Sequence, residues 1–254
     1  MDRRAQLNLL WELTIAHHKL RDQSSFFGFL WSFLHPLVML GVFYIFFRYM
    51  AGSQVRHYPV YLLVGLVHYT HFSNSTKAAL RSLRSMRQLT VDTVFPKELI
   101  VISWVVSSSI DFVISLGICL ALALASGVSI TLAWLWIPVL FLVQLLFTIW
   151  MGLLLSCLYL FAWDLDHIYE IGLRLLFFTT PIFYTRTVLG SGLAQTIVGL
   201  NPLARIIDAA RGAIIDGQGV SLPLFALALV VNGVAMFAAY RLFKKLEPRF
   251  AEYA

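Results

Sequence analysis

Charge is scarce in this chain: 13% of its 254 residues are Asp, Glu, Lys or Arg, against about a quarter in a soluble domain. So few charges cannot cover a water-facing surface, and the main solvent is read as lipid. Cysteine is nearly absent. Cys119 and Cys157 both sit inside apolar runs, which excludes a disulfide framework and a cysteine metal cluster. None of the five lysines follows a glycine, so the phosphate-cradling GxxxxGK[ST] is missing and ATP cannot bind by that route. HExxH is missing too. No internal repeat stands out, and no pair of broken helices in corresponding halves points to an inverted-repeat carrier. The first long apolar run starts near Phe29 and exceeds the apolar core of a cleavable signal peptide.

Apolar residues make up 59% of the chain. About 20 of them in a row cross a bilayer. Candidate spans are roughly 29–50, 58–79, 99–126, 132–162, 168–185 and 221–243. The second is the least apolar, with His68, His71, Ser73 and Asn74, whose side chains should face protein or water. The fourth is long enough to tilt or to project from the bilayer. The net charge is +6, but the basic residues flank apolar runs. They read as topology signals and headgroup contacts rather than a nucleic-acid surface. Six spans put fourteen Lys and Arg on the side of the termini and five on the other, so both termini are placed in the cytoplasm.

Three further stretches stand out. Residues 5–22 form an amphipathic helix, with Leu9, Leu13, Ala16 and Leu20 on one face, widened by Leu10 and Trp11. Asn8, Glu12 and Lys19 point the other way, a pattern that suits a helix in the membrane interface and equally a packed cytoplasmic helix. Between the second and third spans, Lys77 to Glu98 is basic. Lys77, Arg81, Arg84 and Gln88 form a polar stripe opposite Ala79, Leu83, Met86 and Thr90, and Phe95-Pro96 closes the segment. Residues 188–215 hold two apolar pieces split by Asn201-Pro202, each too short to cross. They read as a re-entrant hairpin in the outer leaflet, with an ordinary outer loop as the alternative. Arg205, Asp208 and Arg211 there share i, i+3 spacing and are expected to pair along one face.

Catalytic groups are thin. His68 and His71 without a further ligand make a poor metal site. Asp111, beside Ser107, Ser108 and Ser109, reads as a structural hydrogen-bonding group. Asp164, Asp166, His167 and Glu170 could do acid–base work, but a solvated turn between helices accounts for them. Aromatic residues are dense in the first and fifth spans, among them Phe43, Tyr44, Phe47, Phe177, Phe178 and Tyr184. Flat rings with occasional hydroxyls suit a sliding sugar chain as well as ordinary packing.

Assembled, these motifs resemble a family. Gly28, Trp31 and Pro36 in FFGFLWSFLHP resemble the SxLGxxWxxxxP approach to its first span. Phe95, Pro96, Lys97 and Glu98 resemble its FP[KR]E. Asp164 falls where it often has FRDI, with Trp163 in place of the arginine, and Phe27 stands in place of a leucine. Pro181-Ile182-Phe183-Tyr184 and Asn201-Pro202 resemble its PI-aromatic-Y and NP turn, and FKKLEPRFAEYA its basic tail. The family is the membrane subunit of polysaccharide ABC exporters, most like the O-antigen type.

The resemblance implies an all-α, six-span transmembrane domain over 1–254 in a bacterial inner membrane. A homodimer would form one pore above two separate ATP-binding cassette subunits. Those partners would bind the ATP and magnesium, so this subunit would be non-catalytic and hold no cofactor of its own. Residues 81–94 would be the coupling helix, with Arg81, Arg84, Arg87 and Phe95–Glu98 meeting the ATPase. Lys19, Arg21, Gly28 and Trp31 would border the entrance for a lipid-linked polysaccharide, and the aromatics above would line the pore. Asn201, Pro202, Arg205, Asp208 and Arg211 would belong to an outer gate over 188–215. Teichoic acid and capsular polysaccharide are alternative cargoes. Two readings from other classes are a membrane enzyme on lipid-linked sugars, resting on Asp164, Asp166 and Glu170, and an ion-coupled carrier.

Overall fold

A computed structural model describes residues 2–22, 31–51, 55–92, 95–186 and 192–253. Among these residues the only regular structure is helical. The helices are α1 (Arg3–Asp22), α2 (Trp31–Ala51), α3 (Tyr58–Ser85), α4 (Arg87–Asp92), α5 (Glu98–Ala125), α6 (Trp136–Phe161), α7 (Leu165–Thr179), α8 (Leu193–Leu200), α9 (Pro202–Ile214), α10 (Leu222–Leu246) and α11 (Phe250–Tyr253). Short 3-10 turns at Leu132–Leu135 and Glu247–Arg249 lead into α6 and α11.

Among the described residues, three helical segments are both long and apolar enough to cross a bilayer: Glu98–Ala125, Leu132–Phe161 and Leu222–Arg249. The other expected spans correspond to α2, α3 and α7. The fifth is shorter than its expected 168–185. Thr180 is extended because Pro181 disfavours helix at the residue before it. Fifteen residues rise about 22 Å, less than the roughly 30 Å hydrocarbon core.

The least apolar of the expected spans is the hub. α3 packs against α2, α5, α6, α7 and α9. Its polar groups face protein: the buried His68 ring nitrogen meets the Gln144 amide oxygen, and His71 Nε2 lies 3.1 Å from Ser109 Oγ. Gln144 Nε2 donates to His68 O at 2.9 Å. Close approach helps, since a Cβ built on Gly152 would lie 2.8 Å from that of Ala79. Small residues of this kind let membrane helices pack backbone to backbone. One core cluster joins Val60, Val64, Phe112, Leu140 and Ile214 at the start of α3. Another joins Ala79, Leu83, Val101, Leu153 and Phe243 at its end.

One helix assignment changes. Residues 81–94 do not form a separate helix. Arg81 and Arg84 ride the last turns of α3, which breaks at Met86, and only Arg87–Asp92 form the short α4. The break has a polar cause. Ser82 and Ser85 hydroxyls turn back to carbonyls three residues earlier, and Thr90 Oγ1 donates to Leu83 O at 2.8 Å. That bond, spanning seven residues, folds α4 back on the end of α3. In α1 the packed face centres on Thr14 and His17, both buried, while Leu7 and Trp11 point away. Trp11 lies on the side of α1 turned away from the bundle. His17 stacks on Trp104 at 4.1 Å and reaches Met86 Sδ at 3.3 Å, so α1 touches the α3–α4 break. Burial pushes its imidazole down to about 4, leaving it neutral near pH 7.

Candidate functional site

The basic stripe of α3 has matching acids on α7. Lys77 and Arg81 are four apart, as are Asp166 and Glu170, so each pair occupies one helix face. Arg81 Nε and Nη2 donate to the two Asp166 carboxylate oxygens at 2.9 and 2.8 Å. Lys77 Nζ lies 3.7 Å from Glu170 Oε1, which Arg174 also approaches at 3.5 Å. Arg84 sits 3.8 Å above the Trp163 ring. The Arg81 hydrogen bonds hold the Asp166 carboxyl below its usual range, so the pair is ionised near pH 7. An exposed pair of this kind adds about 0–1 kcal/mol of stability; its contribution is orientation.

The contact continues along both helices, which run antiparallel. The Tyr169 hydroxyl donates to Thr76 Oγ1 at 2.6 Å and the Tyr69 hydroxyl to Leu173 O at 2.7 Å. Beyond α7, Tyr61 and Tyr58 donate to the carbonyls of Tyr184 and Phe183 at 2.9 and 3.0 Å. From Arg81 back to Tyr58 the helix rises about 35 Å, enough to cross the hydrocarbon core. The α3–α7 seam is thus one strut, charged at one end and hydroxyl-pinned along its length.

Aromatic residues gather beside the seam. Phe177 lies 5.6 Å from Phe43, 5.0 Å from Tyr69 and 6.0 Å from Phe183. With His35, Ser73 and Asn74, several of them line a cleft of about 230 Å³. Tyr44 packs instead on Tyr58, at 6.3 Å. Phe178 is 64% exposed, and the Tyr184 hydroxyl donates to Phe178 O. The Phe47 side chain lies outside the described residues.

The far end of the strut is held by a buried cation. Arg211 is 4% exposed. Its Nε, Nη1 and Nη2 donate to the carbonyls of Tyr61, Pro181 and Ile182 at 3.0, 2.7 and 2.8 Å, and its guanidinium lies 3.4 Å over the Tyr61 ring. Asp208 accompanies it at 3.5 Å. The expected face of three paired charges is corrected: Asp208 is nearer Arg186, at 2.6 Å. Arg205 turns back to cap α8 at Gly199 O, which the tight Asn201-Pro202 turn brings within its reach. At that turn Asn201 accepts from the Leu203 and Ala204 amides and donates to Thr180 Oγ1. It caps α9 and ties it to the end of α7.

Other sequence-selected residues are dispersed. Arg87 and Gln88 are exposed on α4. Phe95 packs against the cluster at the end of α3. The Pro96 and Lys97 carbonyls accept the first amides of α5, and Glu98 accepts Lys244 Nζ at 2.7 Å. Lys19 is exposed on α1. Gly28 lies outside the described residues, as do the side chains of Arg21 and Trp31. Asp166 and Glu170 stood in the sequence as an acidic turn, Trp163 as a motif departure and Lys244 as part of a basic tail, none of them as a partner of the charges they meet. The shared four-residue spacing of Lys77–Arg81 and Asp166–Glu170 was the signal for the first two.

The ABC-2 type transporter family matches residues 8–215. Two proteins of Klebsiella pneumoniae, each described as an O-antigen export system permease protein RfbA, are 30% identical over 246 and 251 residues. These spans cover 96% of this chain and 94% of the relative. A Myxococcus xanthus protein of the same description is 30% identical over 246 residues, with the same coverage.

Proposed function

The chain belongs to the ABC-2 type transporter family, a multi-pass membrane permease of the type-2 ABC exporter class, and we propose that it moves a lipid-linked polysaccharide of the O-antigen kind across a bacterial inner membrane. Two copies form one pore and two ATP-binding subunits dock beneath them. The chain crosses the membrane six times, with both termini in the cytoplasm. α1 lies along the inner interface, and α8–α9 form a hairpin dipping into the outer leaflet. The cassette subunits hold the ATP and magnesium, and this chain does no chemistry.

The observation that carries the reading is the α3–α7 strut. Its charged end lies beside α4, where a cytoplasmic partner can push. Its length spans the hydrocarbon core. The aromatic cleft lies along its middle, and its other end holds the α8–α9 hairpin through Arg211. A displacement of α4 therefore reaches both the wall of the path and its outer cover without separate levers, the two-state element that coupling needs. Rings such as Phe43, Tyr69 and Phe177 contact a sugar chain broadly without binding one register, so the chain can slide.

Reconstitution into liposomes tests the whole reading. The permease with its ATP-binding partner and a lipid-linked glycan is expected to deliver glycan only while ATP is hydrolysed. Delivery by the purified permease alone, with or without an ion gradient, contradicts it.

A further inference from the structure

The C-terminal segment is not a free basic tail. After α10 the chain turns at Glu247–Arg249, and α11 folds back against α4 and α6. Phe250 is fully buried and meets Phe243 edge-on at 5.2 Å. It belongs to the same cluster as Ala79, Leu83 and Ile100, with Met86 and Leu89 packed at its margin. Tyr253 lies 4.8 Å from the Phe161 ring. Lys244 staples the turn, with Nζ 2.7 Å from Glu98 and 2.9 Å from Glu247.

α4 needs such support. A helix of six residues cannot hold itself together, because nucleation costs more than so short a run returns. One side is secured by Thr90 reaching back to Leu83. The other rests against α11. The segment after α10 is tied down by an aromatic side chain beneath the element that the partner would push.

We infer that α11 is a positioning element for coupling: Phe250 fixes α4 against the bundle, so that displacement of α4 moves α3 instead of being absorbed locally. This rests on the reading that α4 and the end of α3 meet the ATP-binding subunit. Glu98 of the FPKE motif then has an internal duty, anchoring the staple through Lys244 rather than contacting the partner.

The test uses the full permease–ATPase complex with Phe250→Ala and Phe250→Leu. Two quantities are followed: amide hydrogen exchange, and glycan exported per ATP hydrolysed. In Phe250→Ala, exchange over 87–92 is expected to rise about tenfold while 98–120 is unchanged. Export per ATP is expected to fall about fivefold. Phe250→Leu keeps an apolar side chain and should shift both readouts in the same direction by less, which covers the case in which the alanine variant fails to assemble. Unchanged α4 exchange in the variants that assemble overturns the inference, and so does a rise spread equally over 98–120. Arg87→Glu, on the exposed face of α4, separates the two ideas. If it neither loosens the ATPase subunit nor lowers export, the coupling reading itself fails, whatever Phe250 does.

Discussion

Replacing Arg211 by alanine is expected to abolish export and to lower the stability of the folded permease by about 3–5 kcal/mol, the usual cost of breaking a buried charged network from one side. Three carbonyls lose their donor at once. Those of Pro181 and Ile182 lie where α7 has already ended, so helix hydrogen bonds cannot take over. Each buried polar group left unpaired costs about 1–3 kcal/mol. Asp208 would keep Arg186 alone. Lysine is expected to rescue poorly, because one ammonium cannot reach three acceptors in the directions that a planar guanidinium serves. Gly65→Ala should reproduce part of the loss, since its Cβ would stand 2.6 Å from Arg211 Nη2 and 3.3 Å from the Ile182 backbone. Thermal unfolding in detergent, run beside an export assay, measures both effects.

Arg81→Ala should behave differently: assembly intact, export per ATP down about tenfold. The pair is exposed, with Arg81 at 56% and Asp166 at 23%, so its loss should change stability by no more than about 1 kcal/mol. What is lost is alignment of α3 with α7. Asp166→Ala is expected to match it. The exchanged pair, Arg81→Asp with Asp166→Arg, should recover most of the activity, as a double-mutant cycle requires of two groups acting through each other. Were Arg81 instead a direct contact for the ATPase, the exchange would restore nothing.

The sequence made the membrane class, the helical fold and the helix-splitting Asn201-Pro202 turn legible, because each depends on local signals: apolar length, proline, a side-chain cap. It also identified the face of α3 that carries Lys77, Arg81 and Arg84. It did not show where that face points. Asp164 stood out through a motif, yet Asp166 receives the guanidinium, since partner choice depends on how two helices distant in sequence are rotated against each other. Arg205, Asp208 and Arg211 were legible as a spacing and misread as a ladder; Arg186 and the carbonyls after α7 enter from elsewhere in the chain. The expected 81–94 helix missed the break at Met86, where Thr90, Ser82 and His17 act together and none is a helix breaker by composition. Phe250 passed unnoticed in a tail that reads as basic because burial of one aromatic at a chain end leaves no periodic trace.

The proposed coupling turns on α4 and the end of α3 lying at the cytoplasmic face, directly above the ATP-binding partner. Gln88 is exposed there, while both native cysteines are buried, so a cysteine at position 88 reports cleanly. A membrane-impermeant thiol reagent should label Gln88→Cys in inside-out vesicles only, and the ATP-binding subunit should shield it once bound. Labelling from the outer face, or labelling that the bound partner leaves unchanged, would contradict the claim.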